Sequence, residues 1–166
     1  MKKKKERNWV QKTLLKFTSS KLGARIASRV LHPIDKAILK FTKNRSSLTS
    51  ILSGIPVIVL TTTGAKSGKL RTAPLLGVIK GEDVVLMASN WGQARHPSWY
   101  YNLKANPEAQ LSIHGKTGKY IARDATDVER EIYWAEAVNM YAGYAEYKKR
   151  ISTREIPMFI LSPIRE

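Results

Sequence analysis

An apolar, β-branched run from Ile55 to Leu60 and a second apolar run from Ala73 to Ile79 flank the stretch Thr61-Thr62-Thr63-Gly64-Ala65-Lys66-Ser67-Gly68-Lys69-Leu70-Arg71. Both runs have strand length and composition, and a glycine-bounded polar bend between them reads as strand, turn, strand. The bend gathers Lys66, Lys69 and Arg71 beside the hydroxyls of three threonines and Ser67. Cations, hydroxyls and the exposed N–H groups of a glycine turn together suit a phosphate or carboxylate. A plain solvated basic hairpin has the same composition, so the bend alone leaves both readings open. It is not a nucleotide-hydrolysing loop. Gly64 and Gly68 are separated by three residues and Leu70 follows Lys69, whereas that motif requires four intervening residues and then Ser or Thr.

Further strands are expected near 55–62, 71–79, 83–89, 108–114, 118–124 and 156–162, joined by tight turns at Gly81-Glu82-Asp83 and Gly115-Lys116-Thr117-Gly118. Short connections favour antiparallel pairing, hence a small barrel or strongly curved sheet. Pro97 to Ala105 reads as a short helix closed by Asn106-Pro107. Thr126-Asp127-Val128-Glu129 is a capping box opening a helix to about Met140, and residues 144–151 form another helical piece. The expected class is α+β: a mostly antiparallel barrel with peripheral helices over residues 51–166, preceded by a basic helical extension over residues 1–50.

Charge separates these two regions. Residues 1–45 carry 14 Lys/Arg against Glu6 and Asp35, while the whole chain has a net charge of +16. Met1 to Arg7 is lysine-rich, and Lys12, Lys16 and Lys21 interrupt any apolar core of a signal peptide, so a cytoplasmic protein is expected. Residues 9–31 show amphipathic spacing, with Val10, Leu14 and Phe17, then Leu22, Ile26 and Val30. His32-Pro33 is expected to break the helix before Ile34, Ala37, Ile38 and Phe41 resume it. Such a pair either lies on an anionic bilayer, at the inner face of the cell membrane, or packs its apolar faces on the barrel. Nucleic acid is not expected as a partner, because the basic residues are not interleaved with aromatics on a recognition fold. The chain has no cysteine, and its three histidines lack ligand spacing, so no metal site is expected.

Ala88-Ser89-Asn90-Trp91-Gly92 leaves a strand, turns through glycine and leads to the helix bearing Trp99, Asn102 and Leu103. Ser89 and Asn90 offer donors to an anionic or carbonyl-rich ligand. Trp99 and Leu103, four apart, read best as the core face of their helix. Tyr141, Tyr144 and Tyr147 recur every three residues, either as phenols along a cleft or as packing residues with wet hydroxyls. Cations and aromatics without a catalytic triad or a carboxylate pair suit a cofactor that carries its own chemistry.

With these residues in view, the chain resembles the deazaflavin-dependent nitroreductase family, within the flavin/deazaflavin oxidoreductases of split β-barrel fold. The resemblance covers about residues 50–163. It rests on Leu60-Thr61-Thr62-Thr63-Gly64-x-Lys66-Ser67-Gly68-x-x-Arg71-x-x-Pro74-Leu75, on Ala88-Ser89 with Gly92, and on Pro97-x-Trp99-Tyr100-x-Asn102-Leu103-x-Ala105-Asn106-Pro107. Arg123-Asp124-Ala125-Thr126-Asp127 and the spaced tyrosines extend it. The resemblance implies binding of reduced coenzyme F420, with Lys66, Ser67, Gly68, Lys69 and Arg71 on its phosphodiester and carboxylates. Pro74, Leu75, Leu76, Ala88, Ser89 and Asn90 would flank the ring, and Trp99 and Asn102 would support its far side. Tyr141, Tyr144, Tyr147 and Ser89 would face the acceptor, a menaquinone-like quinone or a nitroaromatic, which receives a hydride. FMN- or haem-binding relatives on the same barrel are the alternative, as is a non-catalytic F420 carrier. Ala65, Asn90 and Leu76 depart from the arginine, basic residue and tyrosine common at these places in the family.

Overall fold

The computed structural model describes residues 9–42, 47–55 and 57–165; the lysine-rich start at Met1 to Arg7 lies outside them. Six strands, β1 (Val57–Thr63), β2 (Leu70–Lys80), β3 (Asp83–Met87), β4 (Glu108–Ile113), β5 (Lys116–Asp124) and β6 (Met158–Pro163), close into a barrel in the order β1-β2-β3-β6-β5-β4. All pairs are antiparallel, with Ile58 opposite Leu75 and Ile113 on either side. The strand expectations hold to within a few residues.

Alternation along the strands sorts the side chains into two environments. Ile58, Leu60, Val84, Leu86, Leu111, Phe159 and Leu161 fill the interior. Val85, Met87, Met158 and Ile160 point the other way, beneath α5 (Asp127–Met140) and α6 (Gly143–Arg150). Val57 and Val59 lie under Leu39 of the N-terminal helices. β1 is therefore covered on both faces, which is why its sequence is an unbroken apolar run rather than an alternating one. Each such fully buried aliphatic side chain stabilises the fold by about 1.5–3 kcal/mol.

One turn differs from expectation. The β4–β5 hairpin bends at His114 (φ 51°) and Gly115 (φ 81°), and Gly118 lies inside β5 opposite Leu111. Two consecutive left-handed residues make the tight turn whose twist matches the strands, so the bend sits earlier than the glycine pair suggested. In addition, α3 (Leu48–Ser53) arises where no helix was read. Ser47 and Ser50 cap each other, the Ser50 N–H donating to Ser47 Oγ at 3.0 Å and the Ser47 N–H to Ser50 Oγ at 3.1 Å.

The largest revision concerns the extension. The chain breaks at Ser20, not at Pro33. α1 (Trp9–Ser19) ends there, and α2 (Lys21–Phe41) runs through Pro33. Ser20 Oγ accepts the Gly23 N–H at 3.0 Å, a side-chain N-cap. A Cβ on Gly23 would stand 1.9 Å from the Phe17 carbonyl oxygen, so only glycine allows this corner. Proline costs α2 one hydrogen bond, but its buried face (Ala24, Ala27, Asp35, Leu39) continues on both sides of Pro33 and holds it together. The first half of the inward face is thus made of small residues, Ala24 and Ala27. Of the two placements expected for the apolar stripe, packing on the barrel is not what α2 does, because the stripe points outward: Leu22 is 66% exposed and Phe41 88%, with Ile26, Val30 and Ile34 also exposed. Lys21, Arg25 and Arg29 are exposed on the same helix.

Candidate functional site

The Gly64–Arg71 bend joins β1 to β2 and is held from below by Asn102. Asn102 lies on α4 (Ser98–Ala105), is buried, and uses both ends of its amide. Its Oδ1 accepts the Ala65 N–H at 3.0 Å, and its Nδ2 donates to Thr62 Oγ1 at 2.9 Å. Expected to touch a cofactor, Asn102 lines the cleft described below and also fixes the shape of the loop. Gly64 receives no Cβ because Ser67 Oγ would meet it at 2.7 Å, while Gly68 is left-handed at φ 64°. Lys66 and Arg71 make no ion pair among the described residues.

One cleft of about 1790 Å³ runs from this bend along the outside of the barrel. Lys66, Ser67 and Arg71 line one end, followed by Pro74, Leu75 and Leu76 of β2. Ser89, Asn90 and Trp99 lie opposite, and Tyr141, Tyr144 and Tyr147 further along. Three expected residues are absent from its wall. Gly68 and Lys69 lie off it, and Ala88 is fully buried among the interior residues, because strand alternation gives the outward place to Met87. Leu75 leans on the interior cluster, whereas Leu76 packs toward the helices.

The opposite wall is a contorted turn. Asn90, Trp91 and Gly92 all have positive φ (47°, 57° and 75°), a conformation that costs about 1–3 kcal/mol per non-glycine residue unless the surroundings impose it. Arg154 imposes it. Its guanidinium donates to the carbonyls of Ala88 (3.2 Å), Ser89 (3.1 Å), Gln93 (2.9 Å), Arg95 (3.3 Å) and Glu155 (2.9 Å). Its Nη1 also lies 3.2 Å from His96 Nδ1. A guanidinium cannot accept, so Nδ1 accepts and the imidazole proton resides on Nε2. Burial first, then the Arg154 charge, pushes the His96 pKa down. His96 stacks on Tyr100 at 4.3 Å and lines the cleft as a neutral ring. Sequence reading missed both residues. Arg154 bonds to backbone, which leaves no pattern in side-chain spacing.

The three tyrosines form one edge-to-face cluster with centroids 5.5–6.3 Å apart. Their hydroxyls are engaged rather than wet. Tyr141 Oη donates to Thr18 Oγ1 (3.1 Å) and lies 2.9 Å from Tyr147 Oη; Tyr147 donates to the Thr18 carbonyl (3.2 Å). Tyr144 donates to the Leu76 carbonyl at 3.3 Å, the longest of these bonds. Burial pushes the Tyr144 and Tyr147 phenols well above their usual range, with the other tyrosines adding to it, so both stay protonated. Thr18, at the end of α1, is a partner that only the packed extension reveals. Among the described residues no cluster of His, Cys, Asp or Glu could hold a metal, and no helix is long and apolar enough to cross a membrane.

The family described as F420H(2)-dependent quinone reductase matches residues 36–163. The F420H(2)-dependent quinone reductase Rv1261c of Mycobacterium tuberculosis is 34% identical over 111 residues, covering 64% of this chain and 73% of the relative. A solved F420-H2 dependent reductase (FDR-A) is 42% identical with a TM-score of 0.60, over 64% of this chain and 94% of its own. A chain solved as a domain-swapped dimer is 36% identical with a TM-score of 0.62, over 76% and 95%. A haem-binding protein of Mycobacterium smegmatis, 18% identical with a TM-score of 0.52 over 68% and 48%, shares the fold alone.

Proposed function

The chain belongs to the F420H(2)-dependent quinone reductase family, and we propose that its cleft seats coenzyme F420 on the Gly64–Arg71 bend and a membrane quinone on the tyrosine side. The chain is accordingly an oxidoreductase that uses F420H2 to reduce a quinone. The observation that carries the placement is the cleft that runs from two cations, without ion pairs among the described residues, to three buried phenols.

The residues fit the cofactor. A phosphodiester and carboxylates call for cations and N–H donors, and Lys66, Ser67 and Arg71 supply them at one end of the cleft. When bound, the coenzyme supplies the hydride. The protein's part is to hold donor and acceptor face to face and exclude water. Pro74 and Leu76 form one flank; Ser89, Asn90 and Trp99, on or beside the turn clamped by Arg154, form the other. Tyr144 holds its proton firmly and gives it only to a long bond with Leu76, so it is the phenol best placed to turn toward an acceptor carbonyl. Tyr141 and Tyr147 keep their proton-bearing oxygens on Thr18 and hold the acceptor end in shape.

The outward apolar stripe of α2, beside Lys21, Arg25 and Arg29, suits an anionic bilayer, where lipid quinones reside. The protein would then work peripherally at the inner face of the cell membrane. Sedimentation with anionic and with zwitterionic vesicles tests this part; equal recovery in both supernatants removes it. For the reaction, purified protein is mixed with reduced cofactor and a soluble naphthoquinone, and cofactor oxidation no faster than in the blank refutes it. Lys66→Ala and Arg71→Ala are expected to raise the cofactor Kd at least tenfold, and an unchanged Kd takes the bend out of the site.

A further inference from the structure

We infer that the far end of the cleft, between α2 and the outward face of β1, is a hydrocarbon groove that takes the prenyl chain of a lipid quinone. The inference rests on the quinone-reductase reading above and gives a role to Leu39, Val57 and Val59, which no motif marked.

Size calls for a second occupant. A cleft of about 1790 Å³ is roughly twice what one drug-sized ligand fills, since such pockets run to about 300–1,000 Å³. The cations stand at one end only. At the other the wall is Leu39 of α2, Val57 and Val59 of β1, and Leu76 of β2. The polar residues among them are already satisfied. Asp35 accepts the Thr49 N–H at 3.0 Å and the Thr49 hydroxyl, and Ser28 Oγ donates to the Arg25 carbonyl at 3.0 Å. A wall whose polar groups are paired with each other offers a ligand little besides apolar contact.

The placement of α2 completes the argument. One side of this helix roofs the groove through Ser28, Asp35 and Leu39. The other carries the exposed stripe of Leu22, Ile26 and Val30. Groove and bilayer-suited stripe are thus separated by a single helix, about 10 Å across. A chain too long for the groove has only that distance to cover before it meets lipid.

The experiment compares naphthoquinones that share one head group and carry no, one, two or four isoprene units. The readout is kcat/KM for oxidation of the reduced cofactor in detergent. For the wild type, kcat/KM is expected to climb at least tenfold from the bare head group and then level off once the groove is full. Ser28→Trp, which drives an indole into the groove from a half-buried place on α2, should cut the prenylated-to-bare ratio at least tenfold. Cofactor affinity measured alongside shows whether the variant is folded. Calorimetry with farnesol, the chain without the head group, needs neither cofactor nor turnover and should show binding that Ser28→Trp weakens at least fivefold. A flat dependence on chain length in the wild type, or no farnesol binding, overturns the groove. If none of the four quinones is reduced but farnesol binds and Ser28→Trp weakens that binding at least fivefold, the groove stands and the quinone reading fails.

Discussion

Asn102→Ala tests whether the anion-binding bend has its shape by virtue of one buried amide. The substitution removes two hydrogen bonds, at 2.9 and 3.0 Å, and strands the Ala65 N–H and the Thr62 hydroxyl, the latter on a residue only 1% exposed. Each lost bond is worth about 1 kcal/mol net, and a stranded buried group costs about 1–3 kcal/mol. Because the Ala65 side of the bend is open to water, the lower part of that range applies there, and the sum comes to about 2–4 kcal/mol. For a domain of this size that corresponds to a Tm lower by roughly 5–15 °C. Urea unfolding gives the stability, and cofactor titration gives the Kd, expected to rise at least tenfold as Lys66 and Arg71 lose their common platform. Thr62→Val is the control: it removes the lower bond only and leaves the buried Asn102 Nδ2 without that acceptor, so stability falls by about 1–3 kcal/mol while the Kd moves less than threefold. A stability loss below about 1 kcal/mol for Asn102→Ala, or a Kd within twofold of wild type, refutes the reasoning.

Two further outcomes follow from the same site and its supports. Arg154→Ala releases the carbonyls that flank the turn at Asn90–Gly92 on both sides; stability should fall by about 2–4 kcal/mol, with faster amide exchange across Asn90–Gln93. Unchanged exchange there contradicts the clamp, and Arg154→Lys, which cannot fork, should rescue little. Glu129 is held down to about 2 by the Arg123 guanidinium and by the Thr126 backbone, against an ordinary 4.5. A depressed carboxylate contributes stability that is complete above its unfolded pKa and is lost as pH falls through its folded one. Glu129→Gln should therefore flatten the acid limb of the stability curve between about pH 4.5 and pH 2, and a limb as steep as wild type discounts the pair.

What could be read in the chain and what could not divides along physical lines. The barrel was legible because strands covered on both faces are written as unbroken apolar runs, as from Val57 to Leu60, and because turns need glycine at fixed places. The cationic bend was legible for the same reason, together with its motif neighbours. Lys69 and Ala88 lie off the cleft wall, which the sequence did not reveal, because one residue of register decides which way a strand or loop side chain faces. Arg154 was illegible because its partners are carbonyls, which every residue has. The elbow at Ser20 was hidden behind Pro33. Proline advertises a break wherever it occurs, while the approach that needs Gly23 depends on a carbonyl six residues earlier.

The bonds from Thr18 to Tyr141 and Tyr147 tie the first helix to the last one and to the residue that closes the helix before it, across more than a hundred residues. A shortened protein beginning after the second helix would still close its barrel, yet its phenols would face water in place of a threonine, and the roof over Val57 and Val59 would be gone. Rates, inhibitors and substrate preferences measured on such a trimmed enzyme would describe a differently shaped acceptor chamber, and they would carry over to the full-length protein only for the cofactor half.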